Sequence, residues 1–180
     1  MEKNLTHIAL FAALIAVLGL VPKLDLISGV PITAQSLGIM LCGTVLGAKR
    51  GALAVLLFLV LVAAGLPLLA GGRGGMGVFA GPSVGYLIGF PLAAFVAGLV
   101  VERWKAPVAV AAFAGSILGG IIVLYALGIP GMALVLGKTL PEAALLATPF
   151  LAGDLLKAII AAAVTHAIGQ MRPGALLSRA

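Results

Sequence analysis

The chain has 180 residues, 63% hydrophobic and only 9% charged, with a mean hydropathy of +1.29; these values exclude a soluble globular domain and define an integral membrane protein. Its net charge of +6 is no nucleic-acid footprint, because the basic residues neither form one patch nor interleave with aromatics. The lone Cys42 lies in an apolar stretch, which rules out an internal disulfide and a CxxC metal centre, so neither metal nor cofactor is expected.

In chain order, apolar segments are predicted over residues 6–21, 32–48, 52–70, 82–101, 107–128 and 147–168. The breaks fall at Pro22 to Pro31, Lys49-Arg50, the Gly-rich run 71–77, Arg103 to Pro107, the stretch 129–145 and after Gly169. The expectation is an all-α protein with six transmembrane helices in a single domain, 1–180. The run after Lys3 lacks a small-x-small cleavage site followed by a soluble domain, so it reads as a retained first helix, not a signal peptide. The first two segments fall short of the ~20 residues of an upright crossing, which calls for local thinning or loops dipping into the membrane. Small residues recur at four-residue spacing in Ala9/Ala13, Gly81/Gly85/Gly89 and Gly115/Gly119, as rows that let helix backbones approach closely in lipid.

Six crossings put both termini on one side, together with Lys3, Lys49, Arg50, Arg103, Lys105, Arg172 and Arg179. Lys23, Arg73 and Lys138 fall on the other side, so the positive-inside rule makes both termini cytoplasmic. The outer connections LDLISGVPIT and AGGRGGMGVFAG carry Pro, Gly and apolar residues, and read as lids more than as solvated tails. In the third outer connection, TLPE (Thr139 to Glu142) has the form of a capping box for a short surface helix. GGRGGMG lacks the GK[ST] ending of a phosphate loop, so ATP binding by this chain is not expected.

Inside the last segment, FLAGDLLKAII sets Asp154 and Lys157 on one helix face. Counted from Pro149 at ~1.5 Å per residue, they lie about 8 and 12 Å into the membrane, where an ionised side chain costs several kcal/mol. Two readings follow: a self-neutralising pair that locks the bundle, or a pair that faces a polar ligand. Gly153 beside the Asp and the scarcity of other polar groups at this depth favour a ligand. Thr33, Gln35, Arg73, Ser83 and Tyr86 all fall on the same outer half and can converge there. Each also has a structural role open to it: Arg73 as an interfacial cation, Tyr86 in an aromatic belt, Thr33 as a helix cap. His7 and His166 lie near cytoplasmic helix ends, and no HExxH, GxSxG or DxD occurs, so no catalytic set can be named. A small solute with amide-like donors, an anionic end and an apolar body suits Asp154, Lys157, Arg73 and Tyr86.

The order PIT-Q near residue 32, GG-GG, GP-GYLIGF and GDL-K closely resembles the BioY family, the biotin-binding S components of energy-coupling-factor (ECF) transporters, over nearly the whole chain. The resemblance implies an S-component bundle of six membrane helices in the cell membrane of a prokaryote. It also implies a biotin pocket near the outer face, closed by the first and third outer loops, to which Asp154 and Lys157 contribute the family's acidic and basic pair. The partners it implies are a transmembrane coupling subunit and two ATPase subunits. Ala9/Ala13 resembles the AxxxA docking signature of the superfamily, with Ala12/Ala16 as a second register. The sequence departs from the usual GPTGGY in GPSVGY, which puts Val84 at a small-residue position. Two other readings stand beside biotin capture: an S component for thiamine or riboflavin, and a membrane-embedded enzyme or assembly factor that uses Asp154/Lys157 as an acid/base couple.

Overall fold

The computed structural model describes the backbone of residues 2–179 and the side chains of residues 4–179. Six helices follow one another: α1 (Glu2–Leu18), α2 (Gln35–Leu46), α3 (Ala48–Ala63), α4 (Val84–Arg103), α5 (Val108–Leu136) and α6 (Leu140–Met171). Only two isolated antiparallel bridges, Leu24 with Ile32 and Leu69 with Arg73, occur among the described residues. α4, α5 and α6, of 20, 29 and 32 residues, are long and apolar enough to cross a membrane. α1, α2 and α3 have 17, 12 and 16 residues, so at ~1.5 Å per residue none of the three covers a ~30 Å hydrocarbon core upright.

Several boundaries differ from the sequence reading; α3 ends at Ala63, so residues 64–70 of the predicted segment 52–70 are part of the connection that follows. Residues 129–136 are not a break but the end of α5, which continues through Pro130. The TLPE capping box forms as read, with Glu142 Oε2 accepting from the Thr139 amide and hydroxyl at 2.8 and 2.7 Å, yet it starts the 32-residue α6 itself and not a separate short helix. Pro91, Pro130 and Pro149 all lie within helices. Each removes one backbone donor, and a helix in apolar surroundings keeps the rest because no water competes for them.

The shortest helix is the central one. Eleven of the 12 residues of α2 are buried, and it packs against each of the other five helices. It is thus solvated by protein, and its length is set by the bundle and not by the bilayer. Gly47, at φ 87°, turns the chain directly from α2 into α3, and the Ala48 amide is capped by Glu102 Oε1 at 2.8 Å. Gly85 and Gly89 lie against α5, and Gly115 and Gly119 against α4, with backbone or side-chain atoms where a Cβ would stand. A Cβ at Gly81 would meet only the Val78 carbonyl oxygen, at 3.8 Å, so Gly81 takes no part in this packing. The missing side chain at Gly131 makes room for the backbone of Gly85, while Val84, the departure in GPSVGY, has its methyl at an ordinary contact distance of 3.7 Å from that Cβ position.

One end of the bundle gathers both ends of the described chain. Arg50 donates to Asn4 Oδ1 and to the Leu177 carbonyl, Ser178 Oγ donates to the Thr44 carbonyl at 2.6 Å, and Arg179 donates to the Trp104 and Ala106 carbonyls at 2.9 Å. The opposite end carries the connections 19–34, 64–83 and 137–139. Gly119→Val places a methyl-bearing carbon against the Ala93 carbonyl oxygen of α4. It is predicted to destabilise the fold by about 1–3 kcal/mol as overpacking, read as a fall in thermal midpoint in detergent, whereas Gly77→Ala, with nothing around it, leaves the midpoint unchanged.

Candidate ligand-binding site

α6 carries Asp154 and Lys157 one turn apart, and both are largely withdrawn from solvent, with side chains 7% and 14% exposed. Lys157 Nζ donates to Asp154 Oδ1 at 2.9 Å and to Ser36 Oγ at 2.9 Å. The Ser36 hydroxyl in turn donates to Asp154 Oδ1 at 3.1 Å, and Tyr125 donates to Oδ2 at 2.8 Å. Ser36 is the second residue of α2, so the carboxylate also meets the positive end of that helix. Three helices therefore share the cost of one ion pair.

Ser36 and Tyr125 are the site residues that sequence reasoning missed, and their presence corrects the view that few polar groups share this depth. Ser36 follows immediately on Gln35 in the PIT-Q motif, a nearby signal that passed unused. Tyr125 follows a π-helical stretch, Leu118–Val123. Such a stretch shifts the helix register, so a 3.6-residue pattern read across it misplaces the faces beyond it.

The remaining candidates line one cavity with the pair. Its walls are Thr33, Gln35 and Ser36, Leu69 and Arg73, Ser83, Tyr86, Leu87 and Phe90, Leu124, and Phe150 with Asp154 and Lys157. All seven residues singled out in the sequence are thus brought together. Their polar atoms are not equally free. Gln35 Nε2 donates to the carbonyls of Ile15 and Leu68 at 3.1 and 3.0 Å, and its Oε1 accepts from the Ala70 amide at 3.0 Å. This buried amide is spent pinning the end of α1 and the connection 64–83 to the start of α2. Thr33 Oγ1 accepts from the Gln35 amide at 3.3 Å, a local bond at the helix entrance. Arg73 donates from Nε to the Ala70 carbonyl at 3.2 Å, within the bridge that pairs Leu69 with Arg73.

Ser83 Oγ and Tyr86 OH differ from these: both are buried, line the cavity and have no hydrogen-bond partner among the described residues. The Tyr86 ring occupies the gap left by Gly128 on α5 and packs edge-on to Tyr125 and tilted on Phe150, with centroids 6.2 and 6.0 Å apart. An unpaired buried hydroxyl costs roughly 1–3 kcal/mol, and those of Ser83, just before α4, and Tyr86, within it, both face the cavity, where a ligand can accept their hydrogens. The site therefore offers a carboxylate acceptor, an ammonium beside it, two hydroxyl donors, and apolar walls.

The cavity encloses about 70 Å³, well under the ~300 Å³ at the low end of small-molecule sites. A ligand of that size enters only if a wall moves. The walls outside the helices are residues 30–33 and 69–73, from the first and second outer connections. No residue of 137–139 lines the cavity, so closure by the third outer loop is not seen. On α1, Ala9 and Ala13 are exposed whereas Ala12 is buried and 4% exposed, so the two registers of small residues lie side by side on the helix, with the Ala9/Ala13 row on its more exposed flank.

The BioY family model matches residues 2–174. The chain belongs to the BioY family. Relatives similar to it include the "Biotin transporter BioY" of Rhodobacter capsulatus, 57% identical with 99% of this chain and 100% of that one covered. The protein of the same name from Rhizobium etli is 47% identical with 92% of each chain covered, and the "Probable biotin transporter BioY" of Bacillus subtilis is 46% identical over 93% and 90%. Among solved structures, the S-component for biotin from an ECF-type ABC transporter matches with a TM-score of 0.89 at 31% identity, covering 94% of this chain and 92% of that one.

Within this BioY-family fold, Gln35→Leu keeps the volume but leaves the Ala70 amide and the Ile15 and Leu68 carbonyls without the partners they have now. The expected result is faster tryptic cleavage after Lys23 and Arg73, the basic residues of the two outer connections, with little change in cleavage at Lys105 at the other end.

Proposed function

We propose that this chain is the biotin-binding S component of an ECF-type uptake transporter, a substrate-capturing subunit and not an enzyme. The observation that carries the reading is the Asp154/Lys157 pair in one apolar-walled cavity with the unpartnered hydroxyls of Ser83 and Tyr86, in a chain whose relatives are named biotin transporters.

The chemistry of biotin fits each part. Its ureido ring offers N–H donors to the Asp154 carboxylate, and its ureido oxygen accepts from the hydroxyls of Ser83 and Tyr86. The thioether ring and aliphatic tail suit Leu69, Leu87, Phe90, Leu124 and Phe150. Lys157 is held against Asp154 and Ser36, whereas Arg73 lies in an outer connection and commits its Nε alone to a carbonyl; we assign the valerate carboxylate to Arg73. Gln35 and Thr33 then act by holding the cavity wall, with their polar atoms already used inside the fold. Binding opens residues 30–33 or 69–73 and closes them again over the ligand.

Delivery across the membrane draws on the partners of an ECF module, a transmembrane coupling subunit and two ATPase subunits. The exposed Ala9/Ala13 row, not Ala12/Ala16, is the docking register that this reading selects. The excess of Lys and Arg at the end that gathers Asn4 and Ser178 makes that end cytoplasmic, with the ligand cavity towards the outside of the cell membrane.

Equilibrium binding to the detergent-purified chain tests the reading, with thiamine and riboflavin as competitors. Biotin is expected to bind selectively. Asp154→Asn loses the charged acceptor for the ureido N–H groups and Lys157→Met loses the cation that holds that carboxylate in place, and each is expected to weaken biotin binding at least tenfold. Ser83→Ala and Tyr86→Phe remove hydroxyls that bond nothing among the described residues. They are predicted to keep or raise the thermal midpoint while lowering biotin affinity about tenfold. Selective binding of thiamine or riboflavin overturns the ligand, and unchanged biotin affinity in all four variants overturns the site. Ala9→Leu/Ala13→Leu is expected to leave biotin affinity unchanged and to abolish ATP-driven uptake when the chain is expressed with the ECF module.

A further inference from the structure

Away from the ligand cavity, a groove of about 430 Å³ opens at the opposite end of the bundle. It is lined by Asn4 of α1, Ala48, Lys49 and Arg50 of α3, and Phe95, Leu99, Glu102 and Arg103 of α4. Lys49, Arg50 and Arg103 outnumber Glu102, and none of the three forms an ion pair with a described residue. The Glu102 carboxylate is turned inward, capping the Ala48 amide at 2.8 Å, so it is held at the start of α3.

The groove also has a direction. Phe95, Leu99 and Arg103 follow one another at four-residue spacing along one face of α4. That spacing runs about 12 Å from a half-exposed aromatic ring to the cationic end. Phe95 is 37% exposed and Leu92, nearly one turn further in, is 53% exposed, so the groove continues as an apolar surface towards the middle of α4. An occupant must therefore carry negative charge at one end and hydrocarbon at the other, aligned with the helix axis.

We propose that this groove holds an anionic phospholipid, its phosphate among Lys49, Arg50 and Arg103 and an acyl chain along Leu99, Phe95 and Leu92. A soluble anion uses only the cationic end and leaves the apolar wall unmatched. A polybasic site close to a bilayer surface gains attraction to anionic lipid from each Lys or Arg, and the apolar wall turns that attraction into a fixed position. Anionic lipid then bridges the start of α1, the α2–α3 turn and the end of α4, three elements otherwise joined there by the Arg50–Asn4 and Glu102–Ala48 contacts.

The chain contains one tryptophan, Trp104, directly after Arg103 and half exposed, which supplies a native reporter. Full-length protein is reconstituted in vesicles containing either brominated phosphatidylglycerol or brominated phosphatidylcholine at equal bromine content, and Trp104 quenching is compared. Stronger quenching by the brominated phosphatidylglycerol is expected. Lys49→Gln/Arg103→Gln is expected to lower the relative preference for the anionic lipid roughly thirtyfold. The control Lys105→Gln/Arg172→Gln removes the same charge outside the groove and is expected to leave the preference in place, as is excess inorganic phosphate. Biotin binding at the other end shows that each variant is folded. Equal quenching by the two lipids overturns the proposal. So does an excess that survives Lys49→Gln/Arg103→Gln, one that Lys105→Gln/Arg172→Gln removes as fully, or one that phosphate displaces.

Discussion

Two opposite charges held out of water on one turn of a helix set the terms for the rest of this bundle. Desolvating an ion pair costs several kcal/mol per charge, and attraction between the partners offsets that only when further hydrogen bonds complete the shell. Asp154 and Lys157 obtain those bonds from Ser36 on α2 and Tyr125 on α5. This fixes α2, α5 and α6 relative to one another at the depth of the cavity. A pure lock would need nothing more. The Ser83 and Tyr86 hydroxyls at the start of the fourth helix, unpartnered among the described residues, are a cost that a lock does not explain and a ligand does.

The division of labour between the two ends follows from the same physics. At the cavity end, the connections are rich in Gly and apolar residues, and Gln35 ties the connection 64–83 to the start of α2 through Leu68 and Ala70. A cavity of about 70 Å³ demands that such segments move to admit a ligand. At the other end, short turns, the capped start of α3 and the C-terminal residues Ser178 and Arg179 tie the helices together. One end is suited to admitting a solute, the other to staying rigid while the charge it carries meets headgroups and partners.

Much of this was legible in the sequence, because lipid imposes a simple rule: backbone must be satisfied within helices, so apolar runs become helices and charge marks their ends. The six segments, the Gly85/Gly89 and Gly115/Gly119 contacts and the convergence of Asp154, Lys157, Arg73, Ser83 and Tyr86 all follow from it. What escaped has local causes. Pro130 reads as punctuation by the rules of water-soluble chains, yet lies inside a helix. The brevity of α2 reflects its central place among five neighbours, a tertiary fact. Tyr125 lies beyond a π-helical stretch that only Gly119-Gly120 hints at, and the role of Gln35 depends on carbonyls of Ile15 and Leu68, 20 and 33 residues away.

The central claim is that the buried pair, although its bonds join α2, α5 and α6 at the cavity, is there for a ligand and adds no net stability. Asp154→Leu/Lys157→Met removes both charges together, so neither is left buried alone, and replacing such pairs by apolar residues is often neutral or stabilising. The decisive measurement is the thermal midpoint of this double variant in detergent with and without saturating biotin. The account predicts a midpoint at or above that of the native chain and no upward shift with biotin, whereas the native chain shifts. A double variant that still gains stability from biotin, or one that no longer folds, contradicts it.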